Sequence, residues 1–185
     1  MLKSVSMKKF AMPVLFLLFV ALHIQCNSSN AEQKKWATSG SYQCIPCGLD
    51  CDNEVYDKPG KCSHCQMELI EKSTVHFKTI EPSMLCQYIS EHPNVVLLDV
   101  RTKEEFEGKA DPNYGTLKNA INVPVQELEK NISTLAPYKH KEIIVYCSHS
   151  HRSPRACYIL TQNGFSNVTN MAGGMSVMKD NSCMR

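Results

Sequence analysis

The sequence carries almost no net charge, no basic run, no internal repeat, no low-complexity tract and no apolar stretch long enough to cross a bilayer as a helix. Its formal charge is +2 over 185 residues. Nothing in that balance tracks a phosphate backbone, so a nucleic-acid partner is not expected. Without repeats, the length suits one domain of ordinary size or a small domain with appendages. A hydrophobic content of 43% still allows a real core. Cysteine is what the chain has in excess. There are ten, and five of them, Cys44, Cys47, Cys51, Cys62 and Cys65, crowd into one short segment.

The N-terminus reads as an export signal over residues 1–26. Lys3, Lys8 and Lys9 precede an apolar run from Ala11 to Leu22, a positive region followed by a hydrophobic one too short to span a membrane. A buried core helix is the competing reading, but the run has no amphipathic period. Cys26 follows, and after it a polar stretch from Asn27 to Lys35. This order resembles a bacterial lipoprotein signal. The resemblance implies lipidation at Cys26, a membrane anchor in the cell envelope facing the periplasm, and a flexible tether over residues 27–41.

Residues 42–70 form a small cysteine-rich module. Cys44-Ile45-Pro46-Cys47 and Cys62-Ser63-His64-Cys65 are two C-x2-C pairs separated by fourteen residues. Paired thiolates two residues apart can grip one ion from a tight turn, and two such knuckles complete a tetrahedral site from Cys44, Cys47, Cys62 and Cys65. Cys51 and His64 are spare ligands or mere neighbours. Disulfides within the segment are the alternative, since exported cysteines often pair. If metal binds, soft thiolates favour zinc or copper(I). The segment resembles the short heavy-metal-binding domain appended to metal-transporting ATPases. Cys62, Cys65, Met67 and Leu69 match its second knuckle, Ser63 stands for the usual Pro and Gln66 for the usual Gly. Met67 is expected to pack against Leu69.

From residue 75 to 180 the pattern changes to alternating strands and helices, which predicts a parallel sheet with helices on both faces. Helices are expected over Glu81–Glu91, Thr102–Glu107, Val125–Leu135 and Pro154–Asn163, the last closed by Gly164. Thr102 and Glu105 have the spacing of a capping box. Strands are expected at Val95–Val100, Ala120–Val123, Ile143–Tyr146 and Val168–Asn170. The third strand runs straight into Cys147-Ser148-His149-Ser150-His151-Arg152-Ser153-Pro154. A loop at the carboxyl end of a parallel strand, leading into a helix, aims N–H groups and partial positive charge at whatever it holds. Both stabilise a thiolate and a persulfide anion. Arg152 would add a charge able to dock an oxyanion, with Ser153 as N-cap and Pro154 as first helical residue.

These residues, together with Leu98-Asp99-Val100-Arg101, Glu105-Phe106, Gly115-x-Leu117, Ala120-Ile121-Asn122-Val123-Pro124 and Gly173-Gly174, resemble the rhodanese family over roughly 105 residues. The resemblance implies transfer of sulfane sulfur: the Cys147 thiolate takes sulfur from a thiosulfate-like donor, becomes a persulfide, and passes it to a thiophilic acceptor. It implies that Arg152 and the loop residues Ser148, His149, Ser150, His151 and Ser153 bind the donor, and that Asp99 and Arg101 are structural or lie at the edge of the site. No cofactor is needed for that transfer. Four residues separate Cys147 from Arg152. Related phosphatases and arsenate reductases have five, so the count favours sulfur chemistry. Cys86 and Cys157 read as packing. Cys183 reads as a free surface thiol, or as one that resolves a persulfide at Cys147. The alternative function is a non-catalytic metal-binding or metal-sensing lipoprotein in which the rhodanese fold serves as a docking scaffold.

Overall fold

The computed structural model describes residues 40–48 and 50–185. The expected export signal at 1–26, the lipidated Cys26 and nearly all of the expected tether lie outside the described residues. In chain order the elements are β1 (Tyr42–Gln43), β2 (Ile70–Glu71), β3 (Lys78–Ile80), α1 (Pro82–Glu91), β4 (Val96–Asp99), α2 (Lys103–Phe106), β5 (Ile121–Asn122), β6 (Ile143–Tyr146), α3 (Arg152–Gln162) and β7 (Val168–Met171). The expected parallel α/β architecture is present. Five strands form one sheet in the order β3-β7-β6-β4-β5, each adjacent pair parallel.

β6 lies at the centre of this sheet, and its Ile-Ile-Val-Tyr run is buried throughout. Its side chains divide by the two-residue period of a strand. Ile143 and Val145 join a core with Ala156, Cys157 and Leu160 of α3. Ile144 and Tyr146 join a second core with Leu85 and Cys86 of α1. A central strand buried on both faces is thereby held rigid, and Cys147 is the next residue.

The helices begin and end for local reasons. α1 opens with Pro82 after an extended Glu81, where a missing N–H costs nothing. α2 carries the full capping box: the Thr102 hydroxyl accepts from Glu105 N–H, and the Glu105 carboxylate accepts from Thr102 N–H. α3 closes with Gly164 at a φ of +83°. There Phe165 N–H reaches Leu160 O at 3.2 Å and Gly164 N–H reaches Thr161 O at 3.1 Å, a Schellman closure.

Three expectations are corrected. The helix expected over Val125–Leu135 is instead a run of turns followed by a 3-10 helix at Ile132–Tyr138. Asn131 Nδ2 donates to Glu127 O and the Thr134 hydroxyl to Asn131 O, and Pro137 lacks an N–H. These local bonds compete with a regular helix, while Val125, Leu128 and Leu135 still anchor the segment in the core. The second correction concerns α3, which starts at Arg152, so Ser153 sits inside the first turn and is not its cap. The third concerns Cys183, which forms a disulfide with Cys86 and is buried. The C-terminal residues fold back along residues 116–118, with Lys118 N–H on Cys183 O at 2.9 Å and Arg185 N–H on Thr116 O at 2.9 Å.

Ahead of the sheet, β1 and β2 pair antiparallel and close the cysteine module. Cys44, Cys47, Cys51, Cys62 and Leu69 are its buried interior, with Met67 packed against them as expected. Residues 72–74 link the module to the sheet and rest on α3: Gln162 Nε2 donates to Thr74 O, and the Thr74 hydroxyl lies 3.3 Å from that of Tyr158. No helix among the described residues is long and apolar enough to cross a membrane.

Candidate functional site

The site begins where β6 ends. Cys147 is 1% exposed, beneath the exposed His149 and His151. Its thiol donates to His149 O and lies 3.3 Å from the Ser153 hydroxyl. Among the described residues, the N–H groups of Ser148, His149, Ser150 and His151 donate to no protein acceptor. Together with the first turn of α3 they form a concavity of unspent donors, the arrangement that favours an anion. Ser153, although not a cap, contributes a hydroxyl beside the sulfur.

The loop is held from two sides. Met175 N–H donates to Cys147 O at 2.8 Å and Ser176 N–H to Ser148 O at 2.9 Å. This approach requires glycine at 174, where φ is +70°. A Cβ there would meet Cys147 O, His149 N and Ser148 C, each at 2.6 Å. The Gly173-Gly174 signal in the sequence therefore has a definite mechanical meaning. On the other side, Glu105 reaches the loop from α2.

Glu105 is the residue that sequence reasoning missed as part of the site. Its carboxylate takes both arms of the Arg152 guanidinium, at 2.5 and 2.7 Å, and the Ser148 hydroxyl at 2.6 Å. It also accepts the N–H of Thr102. The Arg152 hydrogen bonds, reinforced by Ser148 and Thr102, hold the Glu105 carboxyl far below the usual carboxylate range. Arg152 spends its fork on Glu105 and so braces the loop. The capping box at Thr102 is legible in the sequence, but a separation of 43 positions between Glu105 and Ser148 hides the second use of the same carboxylate.

Around this centre, Asp99 and Arg101 are both buried and ion-paired, and Arg101 also donates to Gly115 O and the Thr116 hydroxyl. This buried pair ties β4 to the segment at Gly115 and Thr116. His149 packs edge-on against Tyr114 with ring centroids 5.5 Å apart. Burial pushes the Cys157 thiol well above its ordinary range, so it stays protonated within the core.

In the cysteine module, the structure brings Cys44, Cys51, Cys62 and Cys65 together, with their sulfurs all within 4.8 Å of one another. Cys51, a spare in the sequence reading, joins Cys44, Cys62 and Cys65, while Cys47 lies with Cys44, Cys51 and Asp52. The reason is local: the Asp50–Asn53 turn buries Cys51, while Asp52 captures the N–H groups of Cys47 and Gly48 at 2.8 and 2.6 Å. None of these four thiols is in a disulfide. The second knuckle is a tight turn, with Gln66 N–H on Cys62 O and Cys62 N–H on Met67 O. Gln66 has a φ of +60°, the left-handed conformation that explains the usual glycine there. His64 stands aside from the thiols, bound to Glu54 at 2.6 Å.

The donor set suits a thiophilic ion. Metal–sulfur bonds of about 2.3 Å place the corners of a tetrahedron roughly 3.8 Å apart, within the spread of these sulfurs. Burial and neighbouring sulfurs push the Cys44 thiol far up, and burial lifts Cys51 to about 11. Burial also opposes ionisation of Cys62, but hydrogen bonds from the Cys65 and His64 backbone bring that thiol down to about 6. Such a set ionises completely only when a cation shares it.

A family model described as "Rhodanese-like domain" matches residues 84–181. One described as "Heavy metal binding domain" matches residues 42–72. A sulfurtransferase of Allochromatium vinosum is 28% identical over 96 residues, 52% of this chain and 82% of that protein. Thiosulfate sulfurtransferase PspE of Escherichia coli is 33% identical over 78 residues, 42% of this chain and 68% of that protein. A tRNA uridine(34) hydroxylase of Buchnera aphidicola is 35% identical over 89 residues, 46% of this chain but only 27% of the hydroxylase. The match to that enzyme therefore spans about a quarter of its length.

Proposed function

The chain belongs to the rhodanese-like domain family and carries a heavy-metal-binding domain before that domain, and from this premise we propose an exported sulfurtransferase that carries sulfane sulfur on Cys147. The observation that carries the reading is the placement of a single thiol at the end of β6, under a loop whose four N–H groups have no protein acceptor among the described residues.

In the proposed cycle, the Cys147 thiolate attacks the outer sulfur of a thiosulfate-like donor. A Cys147–sulfur bond forms, the sulfur–sulfur bond of the donor breaks, and sulfite leaves with the bonding pair. The persulfide anion rests among the free loop N–H groups and the N-terminus of α3. A thiophilic acceptor such as cyanide then takes the terminal sulfur, and the pair of the broken bond returns to Cys147 as thiolate. No electrons are gained or lost by the protein over the cycle. Arg152 and Glu105 brace the loop that carries these N–H groups.

The module would hold zinc or another thiophilic ion through Cys44, Cys51, Cys62 and Cys65. When bound, the ion supplies stability to a segment with a small core, and no step of sulfur transfer passes through it. Export and lipidation at Cys26, with the protein facing the periplasm, complete the proposal. The Cys86–Cys183 disulfide supports an oxidising compartment.

A second reading, a metal-binding lipoprotein using the rhodanese fold as a docking scaffold, draws on the burial of Cys147. Thiocyanate formation from thiosulfate and cyanide separates the two. Turnover by the native chain that vanishes in Cys147→Ser, with the fold retained, supports the enzyme. Equal rates in both, or none in either, overturn it.

A further inference from the structure

Five thiols and one carboxylate of the cysteine module fall into two overlapping ligand sets. Cys44, Cys51, Cys62 and Cys65 make one, and Cys44, Cys47, Cys51 and Asp52 make the other. Within each set the ligand atoms all lie within 4.8 Å of one another. Cys44 and Cys51 belong to both. Two tetrahedra with a common edge are the geometry of a thiolate-bridged metal pair, because a thiolate sulfur bound to one ion keeps lone pairs for another.

The second set is built as firmly as the first. Cys44 and Cys47 are fully buried and Cys51 is 2% exposed. Asp52 is fixed by the N–H groups of Cys47 and Gly48, and its Oδ1 lies 3.5 Å from Cys47 Sγ. Those bonds leave lone pairs free, since a carboxylate offers about four acceptor sites. The Cys47 thiol itself donates to Asp52 Oδ1, so the two ligand atoms already face one another across the turn.

We propose that the module holds two thiophilic metal ions bridged by Cys44 and Cys51, the first completed by Cys62 and Cys65 and the second by Cys47 and Asp52. The proposal rests on the metal-binding reading of the module and goes beyond it in the number of ions, the bridging and the role of Asp52. His64, held by Glu54, takes no part.

The test is titration of the reduced full chain with cobalt(II) alone, followed by thiolate-to-cobalt absorption and electron paramagnetic resonance. The expected absorption saturates at two equivalents. The resonance signal grows over the first equivalent and falls over the second, as bridged ions couple. Cys47→Ser saturates at one equivalent with no fall, and Asp52→Asn weakens only the second equivalent. Retention of the first ion reports that each variant is folded. Saturation at one equivalent in the native chain overturns the pair while leaving a single-ion module intact. Two equivalents with simply additive signals overturn the bridge. Absence of cobalt binding overturns the metal-binding reading itself.

Discussion

Cys147 and the cysteine module use the same functional group in opposite surroundings. Cys147 stands on the central strand of a parallel sheet, and the groups that frame it come from distant parts of the chain: Glu105 from α2 and Gly174 to Ser176 from the segment after β7. The module gathers its thiols from one short segment, with two small strands to close it. One site depends on a scaffold that would exist without its cysteine. The other has little core beyond its cysteines and depends on what they bind. Damage to one should therefore leave the other working, and this separation is open to direct attack.

The largest effect is expected from Gly174→Ala. An added Cβ at 2.6 Å from three backbone atoms of the Cys147 loop must displace it. Misplacement on the scale of an ångström costs on the order of 100-fold in rate, so thiosulfate turnover should fall by that much while the metal content stays unchanged. Cys51→Ser should do the reverse. Loss of a ligand should weaken metal retention by more than the roughly 10–100-fold seen for outer-shell changes. Competition with a chelator measures this, and turnover at Cys147 should persist.

Glu105→Gln ranks next. It removes charge from the Arg152 fork and should destabilise the protein by about 2 kcal/mol in a denaturant titration. The pH dependence has a definite sign. The Glu105 carboxyl is depressed in the folded protein by the Arg152 hydrogen bonds first of all. Its contribution is therefore complete above the unfolded carboxyl value of about 4.3 and is lost as pH falls toward the folded value. The native chain should lose stability below about pH 4.3 more steeply than Glu105→Gln. The smallest effect belongs to Gln66→Gly. Relief of a left-handed non-glycine residue should stabilise the module by about 1 kcal/mol, read as slower metal loss, with sulfur transfer untouched.

The sequence was most informative where structure is local. The Thr102–Glu105 capping box, Pro82 at the start of α1, Gly164 after α3 and the β6 run into Cys147 were all readable from neighbouring residues. Val125–Leu135 misled because its apolar spacing suits a helix while Asn131, Thr134 and Pro137 favour turns. Ser153 looked like a cap because Ser-Pro is a good start signal, but the backbone was already helical at Arg152. Local spacing shows only one role for Glu105, because its second and third partners lie more than forty residues away. C-x2-C spacing points to Cys47, whereas only the Asp50–Asn53 turn places Cys51 beside Cys44, Cys62 and Cys65. Cys183 could not be paired with Cys86 across 97 residues without the sheet that brings them together.

In the proposed function, sulfur is carried at Cys147 and metal at the module, without exchange of roles. Peptide-resolved mass spectrometry after treatment of the metal-loaded full chain with thiosulfate tests this most directly. The expected result is the mass of one added sulfur atom on the peptide containing Cys147, removed by cyanide, and none on peptides containing Cys44, Cys51, Cys62 or Cys65. Added sulfur on the module peptides with an unmodified Cys147 would contradict it.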